Sequence, residues 1–241
     1  AAHSNFRRAP LQRLWRTLDL MLTITFADAV CAVGAVRAIE RVHSRVHGRL
    51  DAGVGPFPRG TRYDACDPHL LLWVHATLVD AALLVYERFV EALPARTRRT
   101  YYEESKIVAR LFRIPEHLIP ARLSDFQAYV NGMIDGDTLA AGPASQEIAA
   151  SILCPPLPVG LRQAFQAANF FTIGLLPPVI RQRYGLSWDA LREAAMQAMA
   201  RTSQHVLPLL PGTLRTLSQA RYAPTQRSEP GARHQAAEPA P

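Results

Sequence analysis

Lysine is nearly absent from this sequence: Lys106 stands alone among 27 basic residues. The arginines are scattered along the chain rather than gathered in one run, so the net charge of +7 at pH 7 does not read as a nucleic-acid footprint. An Arg- and Ala-rich, Lys-poor composition points instead to base bias in the encoding genome. Cysteine is scarce as well. Cys31, Cys66 and Cys154 are odd in number and far apart, and no C-x-x-C occurs. That argues against a disulfide framework and a zinc–thiolate site, and favours a reducing compartment. There is no G-x-S-x-G, no Gly-rich phosphate loop and no dinucleotide fingerprint. Long apolar runs are interrupted: residues 18–36 by Asp19 and Asp28, residues 164–180 by Gln166, Asn169 and Pro177-Pro178. Neither supplies the ~18–20 unbroken apolar residues of a spanning helix. The opening Ala1-Ala-His-Ser4 shows no charged n-region or signal h-region. The expectation is a protein without a transmembrane segment, in the cytoplasm.

What is present is helical. At 241 residues and 49% apolar content, the chain can build one full core. Apolar residues recur at helical spacing over residues 10–26. Asp28 caps a second predicted helix that runs to His47 and ends at Gly48. Residues 51–66 form a Gly- and Pro-rich loop. Asp67 and Pro68 then open a helix to about residue 90, Asp67 as cap and Pro68 at the first helical position. Further helices are predicted over 97–112, over 124–134 with Ser124 as cap, and from Gly142-Pro143 to Leu153. The remaining two run over 161–180, interrupted at Pro177-Pro178, and over 188–203 with Ser187 as cap. No stretch alternates convincingly at period two, so the predicted fold class is all-α. The predicted organisation is one helical domain over residues 1–222, followed by a tail over 223–241 with too little apolar content to fold.

The helix that opens at Pro68 is apolar nearly all round, which predicts packing on several sides. His75 lies in its middle, three and four residues from Leu71, Leu72, Leu78 and Val79. An imidazole there must find a hydrogen-bond partner or coordinate something. A core histidine satisfied by a carbonyl is the commoner case; the alternative is a haem ligand, because a porphyrin wants apolar helical walls and one imidazole. On the second helix Arg37, Arg41 and Arg45 form an i, i+4 ladder. It reads either as a solvated face beside Glu40 or as a carboxylate-recognition edge. His43 and His47 have metal-ligand spacing, but the H-E-x-x-H pattern needs a Glu where Ser44 stands, and no third ligand is evident.

From Tyr63-Asp-Ala-Cys-Asp-Pro-His69 through Trp73-Val-His-Ala76 to Asp80, the sequence resembles the MpaB-type oxygenases and the catalytic domain of the rubber oxygenase, or latex-clearing protein. The resemblance continues at His3-Ser-Asn-Phe6, Val42-His-Ser-Arg-Val-His-Gly48, Tyr86-Glu-Arg-Phe-Val90, Tyr101-Tyr-Glu-Glu-Ser-Lys106 and Ile114-Pro115. It extends to Leu123-Ser-Asp-Phe126, Leu175-Leu-Pro-Pro178 and Tyr184-Gly-Leu-Ser-Trp188. It implies an all-helical, globin-like core, a b-type haem and dioxygen-dependent attack on an isoprenoid or other small apolar substrate. His75 matches the family's proximal ligand. Arg41 and Arg45 would lie near the distal side, pairing haem propionates or polarising dioxygen, with His43 and His47 as lesser distal candidates. Rubber oxygenases carry an Arg followed shortly by a Lys-Thr pair on that helix; here only Arg41 matches, and Ser44 and Arg45 replace the pair. This argues against polyisoprene as substrate. Family members usually carry a further helix, with an Ala-His-Pro motif, ahead of the His-Ser-x-Phe segment, and the sequence in hand starts after it. Three rival readings are a helical binder of apolar ligands without chemistry, a nucleic-acid binder prompted by the +7 charge, and a His43/His47 metal hydrolase.

Overall fold

The computed structural model describes residues 10–155 and 159–212. The all-α prediction holds: helices dominate, and one small hairpin interrupts them. Helix α1 (Pro10–Phe26) and α2 (Ala29–His43) pack together as a pair, and Asp28 caps α2 by accepting from the Cys31 amide at 2.8 Å. The predicted continuation of α2 to His47 fails. Ser44 closes the helix, with its amide on the Glu40 carbonyl, and the chain turns through Arg45 and Val46. It then enters β1 (His47–Arg49), which pairs antiparallel with β2 (Arg62–Asp64), Gly48 lying opposite Tyr63. The Tyr63 ring folds over Gly48 so closely that a Cβ there would lie 2.7 Å from the phenol oxygen. Three-residue strands are too short to show a period of two, so the sequence pattern does not reveal them.

Helix α3 (Pro68–Phe89) starts as predicted, with the Asp67 carboxylate accepting from the His69 amide at 2.8 Å and Pro68 at the first position. Its packing differs from expectation. Leu72, His75, Ala76, Val79 and Leu83 form one buried stripe, whereas Leu70, Val74, Leu78 and Val85 face outward, Val74 at 56% exposure. The helix is therefore covered on one side, by α4 (Ala95–Leu111), α5 (Leu123–Asp135) and α9 (Ala190–Val206). By length and composition alone α3 is apolar enough to cross a bilayer. Its buried face, which includes a histidine, is committed to protein.

α4 runs through every part of the core. Its Tyr102 joins Ala76, Val79, Leu83, Phe126 and Val130; its Ala109 joins Leu72, Ile114 and Ile119. Val108 and Leu111 pack on Ile24, Ala35 and Val36 of the α1–α2 pair. The lone lysine is buried here at 6% exposure, Nζ donating to both Glu103 oxygens at 2.9 Å and to the Ala121 carbonyl at 2.7 Å. Beside it the Tyr102 hydroxyl donates to the Pro120 carbonyl at 2.5 Å. These bonds clamp α4 to the segment that leads into α5.

Helices α6 (Pro143–Leu153), α7 (Val159–Leu175) and α8 (Pro178–Arg183) follow, with the predicted break at Pro177-Pro178. Arg183 ties α8 to the end of α5, donating to the Gly136 and Leu139 carbonyls at 2.8 and 3.2 Å. Helix α5 starts after Arg122 rather than at a Ser124 cap, and α9 is capped by Asp189 rather than Ser187, its carboxylate accepting from the Arg192 amide at 2.8 Å. Trp188 is thereby released from the helix and lies against Gly174 of α7, where a Cβ would come within 2.5 Å of the indole. The expected tail over 223–241, the junction at 222 and the His3-Ser-Asn-Phe6 segment lie outside the described residues.

Candidate functional site

The stripe of α3 that faces the core is apolar except at His75. Leu72 sits one turn before it, Ala76 beside it and Val79 one turn after, all buried. His75 thus falls between the two clusters built on α4, with Tyr129 of α5 packing against both. The imidazole is 8% exposed, and its Nε2 is buried with no hydrogen-bond partner among the described residues. Burial pushes its pKa down to about 4, so the ring is neutral near pH 7. A desolvated polar atom without a partner costs ~1–3 kcal/mol, and native proteins rarely leave one without a reason. The reading of His75 as a satisfied core histidine is not supported at Nε2. The nitrogen is dehydrated and belongs to a neutral ring.

The other predicted residues are dispersed by the early end of α2. Arg41 and His43 remain in its last turn, Arg45 falls in the turn that follows, and His47 opens β1. The Arg37/Arg41/Arg45 and His43/His47 ladders require a continuous helix, so the structure breaks both. Arg37 and Arg41 keep their i, i+4 relation. Arg41, Arg45 and His47 are exposed, and neither arginine forms an ion pair among the described residues. Glu40, the neighbour expected to neutralise them, lies 3.5 Å from Arg113 instead. His43 is partly buried, and burial lowers its pKa. Among the described residues no group of three His, Cys, Asp or Glu side chains is placed to hold a metal ion, which removes the support for a His43/His47 hydrolase centre.

One half-buried polar group on the same helix as His75 carries no signal in the sequence. Asp80, five residues further along α3, is half-buried, and burial raises its carboxyl above the usual range. Nothing local marks it, because its environment is set by neighbouring elements.

The domain is helical and carries one dehydrated, unpartnered imidazole in its interior. Residues 1–205 match the model of the family described as ER-bound oxygenase mpaB/B′ and rubber oxygenase, catalytic domain, and the chain belongs to that family. It is similar to an uncharacterized protein of Mycobacterium bovis, 25% identical over 209 residues, which are 85% of this chain and 78% of the relative. An uncharacterized protein of Mycobacterium tuberculosis matches with the same identity and coverage. No solved structure matches the chain.

Proposed function

We propose that the protein is a haem b-dependent oxygenase that acts with dioxygen on a small apolar, isoprenoid-like substrate, with His75 as the residue that would hold the iron. The observation that supports this is the buried, unpartnered Nε2 of His75. The imidazole suits iron: it is neutral, and Leu72, Ala76 and Val79, its buried neighbours on α3, are apolar. Bound there, a haem supplies the dioxygen chemistry that no protein side chain provides.

The chain's own residues have separate tasks in this reading. Leu72, Ala76 and Val79 exclude water from the imidazole and keep it neutral. Arg41 and Arg45, free of acidic partners among the described residues, offer guanidinium forks to carboxylates such as the propionates. His43 and His47 are lesser candidates for moving a proton at that end.

The test is a visible absorption spectrum of protein expressed with haem precursor, oxidised and then reduced. We expect a Soret band with b-type features, and its loss in His75→Gly, with partial return on addition of free imidazole. Circular dichroism of the variant should remain helical. Normal haem loading in His75→Gly overturns the assignment. A colourless wild-type protein that takes up an apolar ligand places the function with non-catalytic binding instead.

A further inference from the structure

We propose a second site, for a phosphate or pyrophosphate ester, in the groove between the first turns of α4 and α5. The groove is a cavity of about 690 Å³ that four guanidiniums border: Arg96, Arg98 and Arg99 from α4, and Arg122 from the start of α5. Arg96, Arg99 and Arg122 are exposed and form no ion pair among the described residues. Arg98 is partly engaged. Its Nε lies 3.4 Å from Glu87 but is buried there and makes no hydrogen bond. Two carboxylates also border the groove. Glu103 is already held by Lys106 through both oxygens at 2.9 Å, so Glu104 alone remains to offset Arg96, Arg99 and Arg122.

The backbone adds to this field. Pro94 precedes the first turn of α4 and no side chain caps it, so its leading amides keep their hydrogens for an outside acceptor. Thr100 and Ser124 border the same space. Cations on two facing elements match a ligand whose charge is spread over several oxygens, which a phosphate presents and a single carboxylate does not. The cavity exceeds a phosphate in size and leaves room for the esterified group. None of these residues belongs to the His75 stripe, so the proposal stands or falls apart from the haem reading.

The test uses the full chain. Binding of inorganic pyrophosphate is followed by calorimetry at two salt concentrations, for wild type, for Arg99→Glu/Arg122→Glu, and for Arg201→Glu as an exposed control on α9. We expect wild-type affinity to fall as salt rises, and the double variant to lose at least about tenfold. The control should bind nearly as wild type does, and melting temperatures should be unchanged. A parallel arm measures co-sedimentation with vesicles of phosphatidylcholine alone or with phosphatidic acid. Phosphatidic-acid binding that pyrophosphate displaces, and that the double variant loses, assigns the site to a lipid headgroup. Pyrophosphate binding without co-sedimentation assigns it to a soluble ester. Failure to bind pyrophosphate, or an equal loss in Arg201→Glu, overturns the proposal.

Discussion

Lys106 has no cationic role at the surface. With its stem in the core and its ammonium on Glu103 and the Ala121 carbonyl, it joins α4 to the next segment. Replacing it with Met keeps the volume but leaves that carbonyl without its donor. We expect Lys106→Met to destabilise the fold by about 1–3 kcal/mol in urea denaturation; an unchanged midpoint would show that the clamp is dispensable. Glu193 makes a second long-range junction. It accepts from the Trp188 indole at 2.8 Å, from Arg88 of α3 at 2.9 Å and from Gln197 at 3.3 Å. These donors, the indole first, hold its carboxyl below the usual carboxylate range. A carboxyl with a lowered native pKa stabilises the fold above its unfolded value, and the benefit is lost as pH falls through the native one. Wild type should therefore melt above Glu193→Gln at neutral pH, with the gap closing on acidification below about pH 4. A gap that is constant across pH would assign the difference to packing.

At the scale of elements, the end of α4 holds a backbone conflict. Arg113 follows the Phe112 cap at φ +57°, in the left-handed region, while the Ile114 amide returns to the Ala109 carbonyl and its side chain enters the core. Glycine is the residue this position favours. Arg113→Gly should raise stability by about 1 kcal/mol, whereas Arg113→Ala, which keeps the Cβ, should not. Both variants forgo the ion pair with Glu40, but the Arg113 guanidinium is exposed and that pair contributes little. If the two variants melt alike, the left-handed geometry carries no strain. The boundaries of α3 and α2 illustrate what local sequence can reveal. Asp67-Pro68 and Asp28 mark their helix starts through bonds to amides two or three residues away. The end of α2 is ambiguous in the sequence because His47 and Gly48 fit a helix end as well as they fit a strand. Their pairing with Tyr63 and Asp64 decides the matter.

For the whole molecule, the two-faced burial of α3 decides which of its residues meet the core. Its inward stripe carries His75, and its outward stripe is apolar yet exposed. Leu72→Ala should cost about 2–5 kcal/mol as a core truncation. Val74→Gln with Leu78→Gln should change stability by no more than about 0.5 kcal/mol each, because both side chains are half exposed or more. Comparable denaturant midpoints for the two variants would place a partner on the outer face. The sequence alone determined the caps at Asp28 and Asp67, the break at Pro177-Pro178, the all-α class and the histidine in the middle of an apolar helix. Each rests on bonds within about one turn or on composition. Periodicity could not say which side of α3 is buried, since a helix apolar nearly all round has no phase to read. Tertiary packing of α4, α5 and α9 chose that side and left Nε2 of His75 dehydrated without a partner among the described residues. It also brought together the arginines of α4 and α5 and separated Arg41 from Arg45. Those outcomes depend on which distant segments meet, and that is fixed only when the core closes.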